Sequence, residues 1–411
     1  MEVNRKYFLE KNFLIYLTGK GASALISIAS IPLFIRIYGA ANYGSFVLIY
    51  SFFLMALSLS NGWINQAMIR FFHADENQYY FLKDLKKLTL ISALIIGSIL
   101  VCLLYFKYSG IITLIIIFLC FILGSIYTFK LVENQTVMQP KNVVFAEVLR
   151  LSFFLGIPYL LYYLDWGTFM YQLFFGILLG YTAAFLFLKS KEKTSFVSEN
   201  RKKTSIKEIA TYGIPLSIWM VFSPTTNGVD RYLIEYYLGA IALAQYSAVY
   251  DIVFKVFSQL SIPLNSIVQP LLMYAHNKKE NKIFSKTIGK AALYLLIIFI
   301  VIFSLFSFFK ELIIVQYLGF DDREVINQLK LVFEPLIISS FIWQIGILLQ
   351  KRLEVQNKTL TMAILMLLSV SLSVLASIWL IPIYGFIASA YLMLLTSILY
   401  SSLVLFMIYR K

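Results

Sequence analysis

Long apolar stretches recur along the whole chain, separated by short polar or charged segments. Most run to roughly 18 or more mainly apolar residues, the length that a helix needs to cross the hydrocarbon of a bilayer. Helices are required because a backbone in hydrocarbon must satisfy its own hydrogen bonds. Transmembrane β-strands would alternate polar and apolar residues, and these stretches do not. The pattern predicts an all-α integral membrane protein with about twelve transmembrane helices, over residues 13–37, 43–67, 88–106, 110–133, 143–164, 167–188, 208–237, 241–274, 284–308, 325–350, 360–383 and 386–409.

One polar segment, KSKEKTSFVSENRKKTSIK at residues 189–207, is longer than the other interruptions. It predicts an N-terminal six-helix bundle over residues 1–190, a basic cytoplasmic linker over residues 191–207, and a C-terminal six-helix bundle over residues 208–411. Because six is an even number, both bundles would enter the membrane in the same direction and be related by an axis along the membrane normal. We expect two pseudo-symmetric bundles around a central cavity.

The composition agrees with a membrane location. Of all residues, 60% are hydrophobic and 14% are charged, whereas about a quarter are charged in a soluble domain. The net charge of +14 comes mainly from Lys and Arg at the termini, in the linker and in loops after even-numbered spans, while loops after odd-numbered spans hold only Lys107, Lys310 and Arg323. This asymmetry predicts cytoplasmic termini. It also accounts for the basic charge without a nucleic-acid partner.

Motifs of enzyme and metal chemistry are absent from the sequence. The two cysteines, Cys102 and Cys120, lie in separate apolar stretches without metal-ligand spacing. The chain contains no GxxxxGK(S/T), HExxH or GxSxG motif. Signatures of an enzyme are therefore missing, and we predict no catalytic residue, metal or cofactor. A proton or sodium gradient, or consumption of the product, would supply its energy.

Two distant segments share one arrangement of residues. PLFIRIYGA (residues 32–40) and DRYLIEYYLGA (residues 230–240) each contain an arginine and aromatic side chains before a Gly-Ala pair. The YGS sequence at residues 43–45 corresponds to YSA at residues 246–248 if three extra residues are allowed. We interpret these segments as equivalent positions in the two halves.

Some ionisable residues lie deep inside predicted spans, where a charge costs about 2.5–3.5 kcal/mol on insertion scales. Asp251 and Lys255 are one helical turn apart in the eighth span. Burying this pair beside lipid would be costly, so a water-filled cavity is the better explanation. Lys20 lies about two turns inside the first span, too deep for its side chain to reach the interface easily.

Other charges lie nearer to the ends of their spans. Arg36 and Arg231 are toward the exterior ends, where interfacial anchoring is an alternative explanation. Two i,i+3 pairs lie within roughly two turns of the predicted cytoplasmic face, and snorkelling with local ion pairing is the preferred interpretation for them. These pairs are Lys130 with Glu133, and Glu147 with Arg150.

The seventh predicted span contains helix-breaking and polar residues. Pro215 and Pro224 interrupt it, and hydroxyl and amide side chains follow the second proline. Such discontinuous helices often line transport paths. The second span carries SLSNGWINQ at residues 58–66, whose amides and indole would suit a sugar. The candidate sugar contacts are Asn61, Trp63, Asn65, Gln66 and Asn227.

Over essentially its whole length, the sequence resembles the Wzx-type polysaccharide flippases, in the superfamily that includes the MATE exporters and the MurJ lipid flippase. The resemblance is most specific at residues 31–50, IPLFIRIYGAANYGSFVLIY, and at residues 212–250. In that family a Gly-Ile-Pro, an Asp-Arg, a Leu-Gly and a Tyr-Ser recur in this order. In this chain they begin at Gly213, Asp230, Leu238 and Tyr246.

The resemblance implies translocation of undecaprenyl-diphosphate-linked oligosaccharide repeat units, for O-antigen or a similar surface polysaccharide, from the cytoplasmic to the periplasmic leaflet of the inner membrane. Basic side chains in a cavity would offset the cost of moving a diphosphate through a low-dielectric core. Asp230 and Asp251 would limit the positive charge of the empty cavity and are candidates to carry a coupling proton. The implied diphosphate-binding residues are Lys20, Arg36, Arg231 and Lys255.

The implied partners are the lipid-linked oligosaccharide, membrane lipids, a polysaccharide polymerase and chain-length proteins. Two alternatives remain open. A MATE-like ion-coupled drug exporter would favour an acidic cavity for cationic drugs, whereas the deep charges here favour basic groups. A membrane-embedded polysaccharide polymerase would need a long exterior loop, and the longest predicted one covers only residues 310–323.

Overall fold

The computed structural model describes residues 2–72, 78–106, 110–137, 139–188, 204–223, 229–277 and 280–410. Within these ranges the regular structure is entirely helical. The helices are α1 (Glu2–Tyr38), α2 (Ala40–Phe71), α3 (Gln78–Tyr105), α4 (Ile111–Thr136), α5 (Pro140–Tyr163), α6 (Phe169–Phe187), α7 (Ile206–Val221), α8 (Val229–Asn277), α9 (Asn281–Leu312), α10 (Arg323–Val355), α11 (Thr359–Tyr384) and α12 (Phe386–Tyr409), and a π-helical turn (Ile313–Tyr317) continues α9.

The predicted all-α membrane fold is confirmed. Eleven of the described helices are long and apolar enough to cross a membrane. Many large apolar side chains point outward, including Phe308 at 82% and Trp379 at 76% exposure. A monomeric protein in water rarely exposes so much apolar surface, whereas a protein in a bilayer exposes apolar side chains to lipid. The exception among the helices is α7, which has 16 residues.

Helix α8 folds back on itself at Gly239, whose torsion angles (φ 84°, ψ 173°) are not helical. The guanidinium of Arg231 lies 2.5 Å from the carboxylate of Asp251, which follows 20 residues later. In a straight helix the same separation would be about 30 Å. We therefore divide the helix into α8a (residues 229–238) and α8b (residues 240–277).

The predicted seventh span is two helices rather than one. Its first part is α7, which ends at Val221, and its last part is α8a. Residues 224–228, which contain Pro224 and the candidate sugar contact Asn227, lie outside the described residues. The predicted eighth span corresponds to α8b.

The two glycines of the matched segments both have a positive φ. Gly39, between α1 and α2, has φ 79°, and Gly239, between α8a and α8b, has φ 84°. Side chains with a Cβ rarely adopt this region, which explains glycine at both positions. The segments also touch, because a Cβ at Gly44 would lie 1.9 Å from the carbonyl oxygen of Ala240. Both segments therefore place a positive-φ glycine between two helices.

The described chain forms two compact units. Unit 1 contains Met1–Ile49 and Asn227–Lys411, and unit 2 contains Tyr50–Thr226. This grouping differs from the predicted boundaries at residues 190 and 208, because α1 and the beginning of α2 pack with α8 in unit 1. The assignment of six spans to each half stays a prediction. Most of the predicted linker, residues 191–203, lies outside the described residues.

The core of unit 1 centres on α10, which packs against α12, α8 and α9. Trp343 of α10 and Tyr400 of α12 are fully buried, with ring centroids 5.2 Å apart. The hydroxyls of Ser339 and Ser397 are 2.9 Å apart on the same two helices. Small and hydroxyl side chains at this contact let the helices approach closely, as is usual between membrane helices.

Unit 2 has a separate aromatic core. Phe53 of α2 is completely buried, with its ring centroid 5.6 Å from Phe121 of α4 and 6.0 Å from Phe174 of α6. Helix α7 packs closely on α2, because a Cβ at Gly213 would lie 2.2 Å from the carbonyl oxygen of Trp63. The cores hold the helices that carry the sites described below.

Candidate functional site

The central feature of unit 1 is an ion-pair cluster between α8a and α8b. Asp251 binds two cations: Arg231 Nη2 lies 2.5 Å from one carboxylate oxygen, and Lys255 Nζ lies 3.5 Å from the other. The side chains of Arg231, Asp251 and Lys255 are 10%, 18% and 32% exposed, respectively. We call these three residues the Asp251 cluster. The structure thus brings together two of the four predicted diphosphate-binding residues.

Asp230 stands beside the cluster with different partners. One carboxylate oxygen accepts the backbone N–H of Arg231 at 2.8 Å, and the other accepts the hydroxyl of Tyr246 at 3.3 Å. These hydrogen bonds hold the start of α8a against α8b. The adjacent Asp-Arg residues therefore have different hydrogen-bond partners: Asp230 accepts from the Arg231 backbone and Tyr246, and the Arg231 guanidinium reaches Asp251.

Aromatic side chains enclose the cluster. The Arg231 guanidinium lies 5.1 Å from the ring centroid of Tyr250, within cation–π range. Tyr250 stacks on Phe254 at 4.4 Å. Tyr43 of α2 is 4% exposed and lies within electrostatic range of Asp251 and Arg231. These rings exclude water from one side of the cluster, which strengthens its ion pairs.

Sequence reasoning missed the tyrosines as site residues. Tyr43, Tyr246 and Tyr250 all contact or approach the charged groups of unit 1. The sequence does contain a sign of their role, because residues 43–45 and 246–248 correspond to each other in the two matched segments. The turns at Gly39 and Gly239 are what bring both segments to the cluster.

A small pocket adjoins Asp230. Its free volume is about 20 Å³, slightly more than one water molecule needs. The Ser389 hydroxyl is buried and has no hydrogen-bond partner among the described residues. This space would suit an ion or a water molecule rather than a sugar. The polar residues that line it are Asp230, Ser373, Ser377, Ser389 and Thr396.

Arg36 makes a different set of contacts in unit 1. Its side chain is exposed, and Nη2 donates to the carbonyl oxygens of Gln316 at 2.8 Å and Tyr317 at 3.3 Å. These carbonyls belong to the π-helical turn that ends α9, so Arg36 holds the end of α1 against it. Lys20 is half-buried in α1. The predicted diphosphate contacts of Arg36 and Lys20 stay predictions.

The candidate sugar contacts on α2 lie in unit 2. Asn61 is 2% exposed and donates to the Thr128 hydroxyl at 2.9 Å, so its amide joins α2 to α4. Trp63, Asn65 and Gln66 are half-buried. The buried side-chain oxygen of Asn65 has no hydrogen-bond partner among the described residues. Asn65 is therefore better placed than Asn61 to receive a ligand hydroxyl.

Metal ligands do not cluster in the part of the chain that is described. No group of three or more His, Cys, Asp or Glu side chains there could hold a metal ion. The candidate sites offer ionic contacts and hydrogen bonds. In unit 1 the groups are cations and a carboxylate, and in unit 2 they are amides and hydroxyls. Such groups can bind and release a polar ligand.

Two family models match the sequence. The model described as polysaccharide biosynthesis protein matches residues 9–275, and the MatE model matches residues 202–380. Among curated proteins, none matches the chain significantly. The first match covers well over half of the chain and includes the Asp251 cluster.

Solved transporter structures share the fold. The MATE multidrug transporter DinF-BH, solved with a bound ligand, has a TM-score of 0.71 and 16% identity, covering 98% of this chain and 95% of its own. The lipid II flippase MurJ, in an inward closed conformation, has a TM-score of 0.72 and 15% identity, covering 96% and 87%. A superfamily transporter from Pyrococcus furiosus, whose binding pocket is described as having reverse polarity, has a TM-score of 0.72 and 12% identity, covering 97% and 93%.

Proposed function

Because the chain belongs to the polysaccharide biosynthesis protein family, we propose that it is a Wzx-type flippase. Its substrate would be an undecaprenyl-diphosphate-linked oligosaccharide repeat unit of O-antigen or a similar polysaccharide. The protein would move this substrate from the cytoplasmic to the periplasmic leaflet of the inner membrane by alternating access, with both termini in the cytoplasm. A polysaccharide polymerase and chain-length proteins would act on the product.

The Asp251 cluster is the observation that carries this proposal. Arg231 and Lys255 share one carboxylate inside a membrane helix, so these three side chains hold an excess of one positive charge, which the neighbouring Asp230 balances when it is ionised. Intramembrane charges are rare and usually mark a substrate or ion path. An anionic headgroup would complete the neutralisation when Asp230 is protonated or binds a cation.

A diphosphate would compete with Asp251 for the two cations. Arginine presents parallel N–H groups that match phosphate oxygens, and lysine adds a compact charge. Lys255 is the most exposed member of the cluster, so the ligand would meet it first. Asp230 holds the Arg231 backbone, which lets the guanidinium change partners while α8a stays in place. Release of the diphosphate would restore the pair with Asp251.

The pocket beside Asp230 supports coupling to a small cation, a proton or sodium. Hydroxyl oxygens and a carboxylate are hard ligands that suit both. Protonation of Asp230, or binding of sodium to it, would change the hydrogen bond from Tyr246 and the electrostatic potential at Arg231. Ion binding at Asp230 would thereby change the affinity of Arg231 for the substrate, which would couple transport to the ion gradient.

Export in a host that lacks its own copy of the protein tests the function. We expect the wild type to restore surface polysaccharide and the variants R231Q and K255Q to reduce it at least about tenfold, with complete lipid-linked units accumulating on the cytoplasmic leaflet. The matched control is K310Q, which removes a lysine from a surface pair with Glu334 and should export normally. Normal export by the R231Q/K255Q double variant at wild-type protein levels would contradict the proposal.

The MatE match supports a second candidate function, ion-coupled drug export. DinF-BH, which shares the fold, is a multidrug transporter, so a cationic rhodamine dye is a suitable probe. Efflux of this dye by the wild type, with no effect on polysaccharide export, would favour the second function. Arg231 and Lys255 favour the first, because paired cations suit the oxygens of a diphosphate.

A further inference from the structure

A second intramembrane arginine, half-buried, lies in unit 2. Arg150 of α5 places its guanidinium 5.6 Å from the ring centroid of Tyr181 on α6. Tyr127 of α4, Tyr50 of α2 and Glu147 lie within electrostatic range of the same guanidinium. Four helices of one unit therefore converge on Arg150. We call these five residues the Arg150 cluster.

The position of Arg150 in its helix does not fit the interpretation based on sequence. Arg150 is the eleventh of the 24 residues of α5, about 15 Å from the beginning of the helix. Its guanidinium points to an aromatic ring of α6 instead of following the helix to the interface. Snorkelling therefore does not explain this residue, and a charge at mid-span calls for a functional explanation.

The tyrosine rings of the cluster pack against each other and against neighbouring phenylalanine rings. Tyr127 and Tyr181 are 2% and 3% exposed, with ring centroids 5.3 Å apart. Tyr50 stacks on Phe154 at 6.2 Å and on Phe53 at 6.0 Å. In contrast, Arg150, Glu147 and Tyr50 are only half-buried. The cluster thus has a buried back formed by Tyr127 and Tyr181, while its other three side chains are partly exposed.

The polar groups of the cluster are mainly hydrogen-bond donors. A guanidinium offers five N–H groups, and each phenol offers one O–H. Glu147 is the one carboxylate among the five residues and lies one turn before Arg150. A ligand that replaces Glu147 beside the Arg150 guanidinium must be rich in acceptors and negatively charged.

We propose that the Arg150 cluster is an oxyanion-binding site of unit 2, in addition to the Asp251 cluster of unit 1. Its ligand is an anionic group of the transported molecule, either a phosphate or the carboxylate of an acidic sugar. Glu147 neutralises Arg150 while the site is empty. This inference rests on the proposed function for the source of the ligand, but binding can be measured without transport.

Binding to the purified full-length protein in nanodiscs tests the site. Inorganic pyrophosphate, glucuronate and glucose are titrated at constant ionic strength, and the thermal unfolding temperature is followed. We expect saturable stabilisation by pyrophosphate, glucuronate or both, and none by glucose. A response to pyrophosphate alone identifies a phosphate site, and a response to glucuronate identifies an acidic sugar.

Variants with opposite expected effects separate a binding role from a packing role. R150Q should weaken oxyanion binding at least about tenfold, whereas E147Q should tighten it because the competing carboxylate is gone. The matched control is R70Q, since Arg70 also lies over a tyrosine of unit 2, 4.8 Å from the ring of Tyr212. The R70Q variant should bind oxyanions as tightly as the wild type.

A further variant keeps the test decisive if R150Q does not fold. The double substitution Y127F/Y181F keeps both rings and removes only two hydroxyl donors, and it should weaken binding at least about threefold. Unchanged binding in R150Q or in Y127F/Y181F, or equal stabilisation by glucose, would overturn the proposal. If the R231Q/K255Q variant binds oxyanions and also exports polysaccharide normally, the proposed function is contradicted. The oxyanion site at the Arg150 cluster is then still supported.

Discussion

Arg231 illustrates why a charge in a membrane helix must be judged by its partners. In the sequence it follows Asp230, and an ion pair between neighbours would be the simplest expectation. In the structure its guanidinium pairs with Asp251, and Asp230 accepts its backbone N–H. The reason is the turn at Gly239, which places α8b beside α8a. The residue types predicted a polar site, and the turn at Gly239 determines that Arg231 pairs with Asp251.

Removing the Asp251 carboxylate should destabilise the protein strongly. D251N leaves Arg231 and Lys255 without their shared acid, and breaking a buried ion pair from one side costs about 3–5 kcal/mol. The double variant R231Q/D251N should recover part of this loss, since it removes both charges. Denaturant unfolding in detergent measures both effects.

An exposed ion pair provides the control for this prediction. E311Q breaks the pair between Lys330 and Glu311, whose carboxylate side chain is 70% exposed. Its cost should stay below about 1 kcal/mol. If D251N were no more destabilising than E311Q, the Asp251 cluster would be well solvated rather than buried.

Arg36 shows the limit of reasoning from residue type. The sequence pairs it with Arg231 through the matched segments, and the resemblance implies the same ligand for both. Yet its guanidinium donates to the carbonyls of Gln316 and Tyr317. No pattern within α1 could have indicated this contact, because its acceptors are backbone atoms about 280 residues away.

The elements of unit 1 depend on two left-handed turns. Gly39 separates α1 from α2, and Gly239 separates α8a from α8b. The turn at Gly239 lets α8a and α8b pack side by side. Tyr246 follows this turn and Tyr43 follows Gly39, and both approach the charges of α8. The matched sequences therefore specify matched turns, which agrees with an internal repeat.

Substitution at either turn should be costly. G39A and G239A force a Cβ into a left-handed conformation, with a cost of about 1–2 kcal/mol each. Nothing lies within 4 Å of the added Cβ at either position, so the effect would be one of backbone conformation. G239A should also reduce export, because the turn aligns Arg231 with Asp251. Unfolding and export assays measure the two effects.

Gly21 offers a matched control in unit 1. It lies in the helical interior of α1, and no atom lies within 4 Å of an added Cβ. G21A should therefore stabilise the protein by up to about 1 kcal/mol through its helix propensity. Equal effects of G21A and G239A would show that the turn conformation has no energetic importance.

At the scale of the whole molecule, charge asymmetry predicts the orientation in the membrane. Lys and Arg concentrate at the termini and in loops after even-numbered spans. The loop between α9 and α10 should then face the exterior, and the C-terminus the cytoplasm.

Labelling with an impermeant maleimide tests this orientation. In a variant without Cys102 and Cys120, a cysteine at position 321 should react in intact cells. A cysteine at position 410 should react only after the membrane is opened. The reverse pattern would refute the predicted topology.

Apolar length was enough to predict an all-α membrane protein and most of its spans. These properties follow from local sequence, because the bilayer imposes a helix on every long apolar stretch. Three features depended on contacts between distant residues: the pairing of Arg231 with Asp251, the place of α1 in unit 1, and the convergence of tyrosines on Arg150. A side chain's partner is set by how helices turn and pack, and neither residue type nor helical period specifies it.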